Sequence, residues 1–240
     1  MPDVDGLKRA AAEKALELVH DGMLVGLGSG STMRYFTEGV GRLVEGGMKL
    51  LAVPTSRTTA ELAAELRIPV LTELVGQIDL AVDGADEVDP ELNLIKGRGG
   101  ALLREKLVAA AAKRFVVVVD DSKMVDRLGA GTIPVEVVAF LWRTTAERLT
   151  ALGASLTLRG GEEVPYVTDN GNLILDLELE GGVKDPAAFG AELKRTLGVA
   201  EHGLFVGMAD TCIVAGPDGP RAVGRPPVET RPRRVIRTPE

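Results

Sequence analysis

Short apolar runs alternate with amphipathic stretches along the first half of the chain. The apolar runs have the length of buried strands, and glycine, proline or a polar loop closes each of them. These predicted strands are 23–27, 49–53, 68–71, 78–82, 92–95 and 115–119. The stretches before and between them, such as 7–20 and 99–113, place leucine and alanine on one side of a helix. Strands that alternate with helices predict a parallel sheet covered on both faces.

The pattern changes after about residue 130, where strand, helix, strand, strand, helix and strand follow one another. The strand at 172–180 is the clearest, because leucine occupies every second position from Leu173 to Leu179. This order of elements is typical of a ferredoxin-like unit. The predicted fold is therefore α/β, a Rossmann-like parallel-sheet domain (1–130 and 205–219) with an inserted ferredoxin-like α+β domain (131–204).

Composition bounds the size, the core and the partners of the chain. A length of 240 residues suits two such domains. Only 3% of residues are aromatic and the net charge is −7, so neither base stacking nor polyanion binding is expected. The remaining segment, 220–240, is rich in arginine and proline without an apolar period, and we expect it to be a disordered basic tail.

Cysteine and histidine usage indicate the compartment and exclude some chemistry. Cys212 is the sole cysteine, so no disulfide forms within the chain and a reducing compartment is expected. The N-terminus lacks the features of a signal peptide, and no segment approaches the roughly 18 apolar residues of a membrane span. His20 and His202 lie outside any metal motif. We therefore expect a cytoplasmic protein that binds no metal, membrane or nucleic acid.

The loop Gly28-Ser-Gly-Ser-Thr lies between a predicted strand and a predicted helix. Backbone amides, the hydroxyls of Ser29, Ser31 and Thr32, and the positive end of the helix dipole favour binding of a small phosphate there. It is neither a Walker loop nor a dinucleotide fingerprint, because no Gly-Lys-Ser/Thr follows and the last small residue is missing. An ordinary strand-to-helix turn is the alternative.

Acidic residues cluster where a buried strand leaves the sheet. Asp83-Gly-Ala-Asp-Glu directly follows 78–82, so its carboxylates are expected at the mouth of a cleft. Aspartates that hydrogen-bond their own backbone in a turn are the alternative interpretation. The additional charges of Lys96 and Glu105 are more than a turn requires, and they favour a functional site.

A second glycine-rich turn, Lys96-Gly-Arg-Gly-Gly, precedes the predicted helix 99–113. Its amides could stabilise an oxyanion that forms only during a reaction. Glu105 lies in the first turns of that helix, and helical spacing alone does not decide between a cleft residue and an exposed residue paired with a neighbouring Arg or Lys. Lys123, after the strand 115–119, either caps a loop or reaches a ligand at the same sheet edge.

Six segments follow one another along the chain up to about Gly219: Gly28-Ser-Gly-Ser-Thr, Asp83-Gly-Ala-Asp-Glu, Lys96-Gly-Arg-Gly-Gly-Ala-Leu-Leu-Arg-Glu-Lys, Asp121-Ser-Lys, Pro134-Val-Glu-Val and Thr168-Asp-Asn-Gly-Asn. In this order they resemble the type A family of ribose-5-phosphate isomerases. The resemblance implies interconversion of ribose 5-phosphate and ribulose 5-phosphate in the non-oxidative pentose phosphate pathway, without a cofactor. It also implies a homodimer.

The resemblance also implies roles for individual residues. Glu105 falls on the proton-abstracting base of the family, and Asp83, Asp86 and Lys96 complete the expected catalytic set. The expected substrate contacts are Ser29, Gly30, Ser31, Thr32, Asp83, Gly84, Ala85, Asp86, Lys96, Gly97, Arg98, Gly99 and Lys123. Ser29 stands where threonine is usual and Arg98 where a smaller residue is often found. Both positions are expected to offer chiefly backbone N–H groups.

This interpretation is chemically coherent. Glu105 would move a proton between C2 and C1 while Lys96 and the loop amides hold the enediolate charge. Asp83 and Asp86 would move hydroxyl protons during ring opening, and the phosphate loop would orient the sugar. One alternative is a sugar-phosphate deaminase or lactonase on a related sheet. A non-catalytic sugar-phosphate-sensing regulator would need a DNA-reading helix-turn-helix, for which the first helix, followed directly by a strand, leaves no room.

Overall fold

The computed structural model describes residues 4–71 and 76–224. The helices are α1 (Val4–Leu16), α2 (Ser31–Glu45), α3 (Arg57–Glu65), α4 (Leu102–Ala111), α5 (Trp142–Thr150) and α6 (Pro186–Arg195). The strands are β1 (Leu24–Leu27), β2 (Leu51–Pro54), β3 (Ile78–Asp83), β4 (Glu87–Val88), β5 (Leu94–Ile95), β6 (Ala112–Asp120), β7 (Ile133–Val137), β8 (Ser155–Leu158), β9 (Leu173–Glu178), β10 (Val199–His202), β11 (Leu204–Phe205), β12 (Thr211–Gly216) and β13 (Gly219–Gly224). No helix within these residues has the length and apolar character to cross a membrane.

The large sheet has six strands in the order β13-β12-β6-β3-β1-β2. All neighbouring pairs are parallel except β12 and β13. Along β6, Val116 and Val118 enter a core with α1 and α2, whereas Val117 and Val119 enter a second core with α4. Both faces are thus covered, which explains the uninterrupted valine run. The expectation of an α/β fold with a mostly parallel sheet is confirmed.

A smaller sheet of four strands has the order β10-β7-β9-β8, and every pair in it is antiparallel. The chain runs through it as β7-α5-β8-β9-α6-β10. Its own core contains Val135, Leu149, Leu175 and Leu193. A separate three-stranded sheet has the order β11-β5-β4, and its strand β11 follows β10 of the small sheet and precedes β12 of the large sheet along the chain.

Some predicted boundaries are wrong. Residues 68–71 contribute a single bridge, Val70 to Ala52, instead of a strand. The last strand of the ferredoxin-like pattern was expected at 203–206, but that segment holds only the two-residue β11 beside β5, and β10, which ends at His202, pairs in the small sheet instead. Strands as short as β11 are defined by the partner they meet, because two residues are too few for an apolar period.

The predicted tail also needs correction, because residues 220–224 belong to β13 instead of a disordered segment. Gly219, with φ of 95°, lets the chain turn back on itself after Gly216. The edge of β12 then supplies the backbone partners, so no apolar pattern is needed, and Pro220 is tolerated at the start of an edge strand. Positions 225–240 of the predicted tail lie outside the described residues.

Candidate active site

The site begins where β3 and β1 end side by side at one edge of the large sheet. Asp83 is the last residue of β3 and is 3% exposed. Its Oδ1 accepts hydrogen bonds from the amides of Gly84 at 2.8 Å and Ser29 at 3.1 Å. Gly28 makes this approach possible, since a Cβ there would lie 2.2 Å from Asp83 Oδ1. The sheet edge therefore holds a buried carboxylate against two loops.

Lys96, at the end of β5, joins Asp83 to Glu105. Its Nζ lies 3.1 Å from Asp83 Oδ2 and 3.3 Å from Glu105 Oε2, and it donates to the Gly84 carbonyl at 2.6 Å. Its side chain is only 3% exposed, as expected for an ammonium that is paired on every side. These three side chains, the Asp83–Lys96–Glu105 triad, form the centre of the candidate site.

Glu105 reaches the triad because α4 starts next to the glycine turn. Gly97 and Gly100 have φ of 103° and 89°, values that favour glycine, and they bend the chain sharply before α4. Glu105 then lies in the first turn of α4 and is 6% exposed. The interpretation of Glu105 as an exposed surface residue is therefore wrong.

Burial dominates the electrostatics of the triad. It raises the pKa of Glu105 to about 8, with repulsion from Asp83 adding to the rise and the attraction of Lys96 opposing it. Burial likewise raises the pKa of Asp83, against the attraction of Lys96. For Lys96, burial favours the neutral amine, but Asp83, Glu105 and Asp86 outweigh burial and raise its pKa. The triad thus combines a firmly charged lysine with a glutamate that can exchange protons near neutral pH.

Two carboxylate oxygens of the triad remain available. Asp83 Oδ2 and Glu105 Oε2 are buried and accept no hydrogen bond from the described residues, although both lie at ion-pair distance from Lys96. Buried carboxylate oxygens are normally satisfied by donors. Such oxygens are suited to receive protons from a ligand.

Asp86 and Arg98 are joined through the backbone amide of Arg98. The Arg98 amide donates to Asp86 Oδ2 at 2.9 Å, as the Ser29 amide does to Asp83. Carboxylates at the sheet edge thus accept from the backbone amides of both positions 29 and 98, and the contact of these positions with a ligand stays a prediction. The Arg98 side chain instead pairs with Glu87, whose other oxygen accepts from the Gly129 amide.

Other amides remain without acceptors. Within residues 4–71 and 76–224, the amides of Gly97 and Gly99 donate no hydrogen bond. They lie in the same turn as Lys96, at the start of the segment that leads into α4. An anion beside Lys96 could therefore gain hydrogen bonds from this turn.

The first turn of α2 provides a second anion-binding feature. Gly30, with φ of 102°, precedes α2, and no side chain caps this helix. The first amides of a helix have no intrahelical acceptor, so those of Ser31 and Thr32 point outward with the positive end of the dipole. The Ser29 hydroxyl does not face this opening but contacts the hydroxyls of Thr55, Ser56 and Thr59.

Lys123 lies in a short 3₁₀ turn, Asp121–Lys123, after β6 at the same edge of the sheet. Its amino group makes no ion pair or hydrogen bond with the part of the chain that the structure describes. The structure therefore leaves its ammonium available, without bringing it into the triad. Within the described ranges no group of three or more His, Cys, Asp or Glu side chains is arranged to hold a metal ion.

Two sets of contacts were missed from the sequence. Thr55 and Thr59 follow β2 at the same sheet edge, so the end of that strand was a usable signal for the hydroxyl cluster around Ser29. Arg159 and Tyr166 contact the glycine turn from the small sheet, and no local pattern indicates such a distant contact.

The arrangement can support proton transfer beside an anchored anion. A carboxyl group that ionises near neutral pH can remove and return a proton. Lys96 and the amides of Gly97 and Gly99 can stabilise negative charge that develops next to it. The start of α2 can hold a small anionic group at a second position.

Comparisons with known proteins agree with this chemistry. The family model described as ribose 5-phosphate isomerase A (phosphoriboisomerase A) matches residues 51–219. A protein from Chloroflexus aurantiacus named ribose-5-phosphate isomerase A is 50% identical over 217 residues, which are 88% of this chain and 90% of the relative. One from Arabidopsis thaliana, named probable ribose-5-phosphate isomerase 2, is 49% identical over 223 residues, 88% of this chain and 84% of the relative.

Solved structures are similar over nearly the whole chain. A structure of D-ribose-5-phosphate isomerase in complex with phospho-erythronic acid is 41% identical with a TM-score of 0.88, and covers 93% of this chain and 100% of that one. A ribose 5-phosphate isomerase from Plasmodium falciparum is 36% identical with a TM-score of 0.88, and covers 92% and 99%. On the match to the family model and to these relatives, the chain belongs to the ribose 5-phosphate isomerase A family.

Proposed function

We propose that this chain interconverts ribose 5-phosphate and ribulose 5-phosphate through an enediolate. The observation that carries the proposal is the buried carboxyl of Glu105, which has a pKa of about 8 and lies 3.3 Å from the Lys96 ammonium. A base that ionises close to the working pH, beside a fixed positive charge, is what an aldose-ketose isomerisation requires.

In the proposed reaction the Glu105 carboxylate removes the proton from C2 of the open-chain aldose. The electron pair left on C2 forms the C1–C2 double bond, and the carbonyl oxygen on C1 becomes the enediolate oxygen. Lys96 and the Gly97 and Gly99 amides stabilise that charge. Glu105 then returns the proton to C1 while the hydroxyl proton moves from O2 to O1, which leaves the ketose.

Two neighbouring features complete the proposal. Asp83, whose Oδ2 accepts no hydrogen bond from the described residues, moves hydroxyl protons as the furanose ring opens, together with Asp86, which accepts from the Arg98 amide of the glycine turn. Ser31, Thr32 and Lys123 hold the phosphate, so its binding energy orients the sugar against Glu105. The expected substrate contacts Gly30, Gly84 and Ala85 adjoin these residues in sequence, Gly30 directly before Ser31 and 84–85 directly after Asp83.

The proposal is tested by incubation with ribose 5-phosphate in deuterated water. We expect ketose to form and to carry deuterium at C1, because a carboxylic acid exchanges its proton with solvent during the enediolate lifetime. Glu105→Gln should abolish turnover and still bind inorganic phosphate, whereas the exposed α3 substitution Glu61→Gln should behave as wild type. Ketose formation by Glu105→Gln at a near-normal kcat would assign the base to another residue.

The family also leads us to propose the wider setting. We assign the small sheet, 131–204, to a ferredoxin-like domain inserted into the parallel-sheet domain, on the basis of its strand order. We further propose a cytoplasmic homodimer that acts in the pentose phosphate pathway. Sedimentation of the purified chain tests the dimer, and the isomerase names of the relatives favour this activity over a deaminase or lactonase.

A further inference from the structure

Arg159, directly after β8 in the small sheet, reaches the glycine turn of the candidate active site. Its Nη1 donates to the carbonyls of Gly97 and Arg98, both at 3.0 Å. These two carbonyls belong to the turn between Lys96 and α4. The Arg159 guanidinium, at the end of a strand of the small sheet, therefore holds two successive peptide groups of the turn that links Lys96 to the helix of Glu105.

The guanidinium is itself fixed. Asp176 of β9 accepts from Arg159 Nε at 2.8 Å and pairs with Nη2 through its second oxygen, so the contact is bidentate. The two side chains are only 17% and 16% exposed. The Tyr166 ring lies 5.8 Å from the guanidinium carbon, and its hydroxyl donates to the Gly99 carbonyl at 3.4 Å. Arg159 consequently has little freedom to move away from the turn.

Because Arg159 binds the two carbonyls, it also fixes the direction of the N–H groups in the same peptides. In a trans peptide the C=O and N–H groups point in opposite directions. When the Gly97 carbonyl faces Arg159, the Arg98 N–H points away from it, and that N–H meets Asp86 at 2.9 Å. When the Arg98 carbonyl faces Arg159, the Gly99 N–H points away in the same manner and meets no acceptor among the described residues.

We propose that Arg159, held by Asp176, is a positioning residue for the isomerase site. It fixes two peptide planes so that the Arg98 amide holds Asp86 and the Gly99 amide is presented to the enediolate oxygens. Arg159 touches no reacting atom and acts only through these peptides. The inference rests on the proposed isomerase function and adds to it that the small sheet orients donors of the site.

The inference is tested by comparing Arg159→Ala and Arg159→Lys with wild type. We expect kcat to fall by about 10²-fold in Arg159→Ala, the size of effect that misplaced catalytic groups produce. Arg159→Lys should not restore kcat, since a single ammonium cannot hold two carbonyls and a carboxylate together. Millimolar guanidinium should restore part of the activity of Arg159→Ala. Arg143→Ala, which removes an exposed ion pair with Glu162, is the matched control and should keep wild-type kcat.

Binding measurements separate positioning from general loss of structure. Inhibition by inorganic phosphate should be unchanged in Arg159→Ala, because the phosphate site lies at α2. Binding of phospho-erythronic acid should weaken, because its carboxylate resembles the charged enediolate. Equal weakening of both ligands, or a kcat equal to wild type, would overturn the inference.

Two further measurements distinguish a failure of the Arg159 proposal from a failure of the proposed function. If Arg159→Ala does not fold, Asp176→Asn releases the guanidinium while preserving side-chain volume, and it should lower kcat without changing phosphate inhibition. A wild-type protein that fails to convert ribose 5-phosphate would refute the proposed function itself. An active wild type with an unaffected Asp176→Asn would refute only the role of Arg159.

Discussion

At the scale of single residues, the Glu105 carboxyl sets the pH range of the proposed reaction. Burial raises its pKa to about 8, so the proposed base is mostly protonated at neutral pH in the free protein. We therefore expect kcat/KM for ribose 5-phosphate to rise about tenfold per pH unit on the acid side and to level off above the pKa of Glu105. Initial rates in buffers of constant ionic strength measure this. A profile already flat at a pH of about 6 would contradict the assignment.

The sequence predicted the triad residues better than it predicted their hydrogen bonds. Asp83 could be placed at a cleft because it ends a buried strand, and Lys96 and Glu105 could be placed near it because a glycine-rich turn and the start of a helix follow the next predicted strand. The use of the Ser29 and Arg98 amides could not be foreseen, because it depends on which way each peptide plane faces. That orientation is fixed by contacts from remote segments, and the local sequence does not contain them.

At the scale of elements, β1 and β3 approach so closely that only glycine fits at position 28. An alanine Cβ would lie 2.6 Å from the Asp83 Cα, so Gly28→Ala must separate the two strand ends. We expect a loss of about 1–3 kcal/mol in the free energy of unfolding, typical of overpacking, together with a large loss of kcat. Chemical denaturation and initial rates measure the two effects.

The control for Gly28→Ala is Gly153→Ala. Gly153 has φ of 89° and open space around it, so alanine there meets only backbone strain of about 1–2 kcal/mol. We expect this variant to lose stability but to keep wild-type kcat. If Gly28→Ala behaves like Gly153→Ala, the close strand approach does not shape the site.

The elements that the sequence missed share a physical property. The central strands β1, β3 and β6 are buried on both faces, so uninterrupted apolar runs in the sequence predict them. In contrast, β4 has only two residues, and β13 is a mostly exposed edge strand. Pairing with a neighbour, not an apolar period, defines such strands, so their prediction needs the tertiary structure.

At the scale of the whole molecule, contacts between the two sheets converge on the segment that carries the triad. Besides Arg159, the turn at Asp169 binds two arginines near the site. The Asp169 carboxylate accepts from the Arg57 amide at 2.7 Å, and its carbonyl accepts from Arg104 at 3.0 Å. Arg104 directly precedes Glu105 on α4. The small sheet therefore supports both ends of the segment from Lys96 to α4.

The same glutamate that favours activity at higher pH should weaken the fold there. Between its ordinary pKa of 4.5 and its folded pKa of about 8, Glu105 holds a proton in the folded chain that the unfolded chain releases. The folded state binds more protons in this window, so the free energy of unfolding falls as pH rises, by up to about 1.4 kcal/mol per pH unit. Below the window both states are protonated, and this contribution is fully present.

Other titratable groups change the free energy of unfolding with pH in the opposite direction. The pH dependence measured for wild type alone therefore does not isolate the contribution of Glu105. Glu201 has its pKa lowered to about 2, because Lys106 and hydrogen bonds outweigh its burial, and burial with repulsion from Lys106 lowers the pKa of His202 to about 4. Both groups make the folded state lose stability as pH falls. The informative quantity is therefore the difference between Glu105→Gln and wild type at each pH.

We expect Glu105→Gln to gain stability relative to wild type progressively from a pH of about 5 to about 8. In this range the folded wild type must keep a proton on Glu105, which costs more free energy as pH rises, whereas the glutamine amide does not titrate. Urea denaturation of both proteins at matched pH values measures the difference. Glu61→Gln on the exposed face of α3 should follow wild type throughout. A difference that stays constant with pH would mean that the Glu105 carboxyl ionises equally readily in the folded and unfolded chain. The site would then lack the proton affinity on which the proposed isomerisation depends.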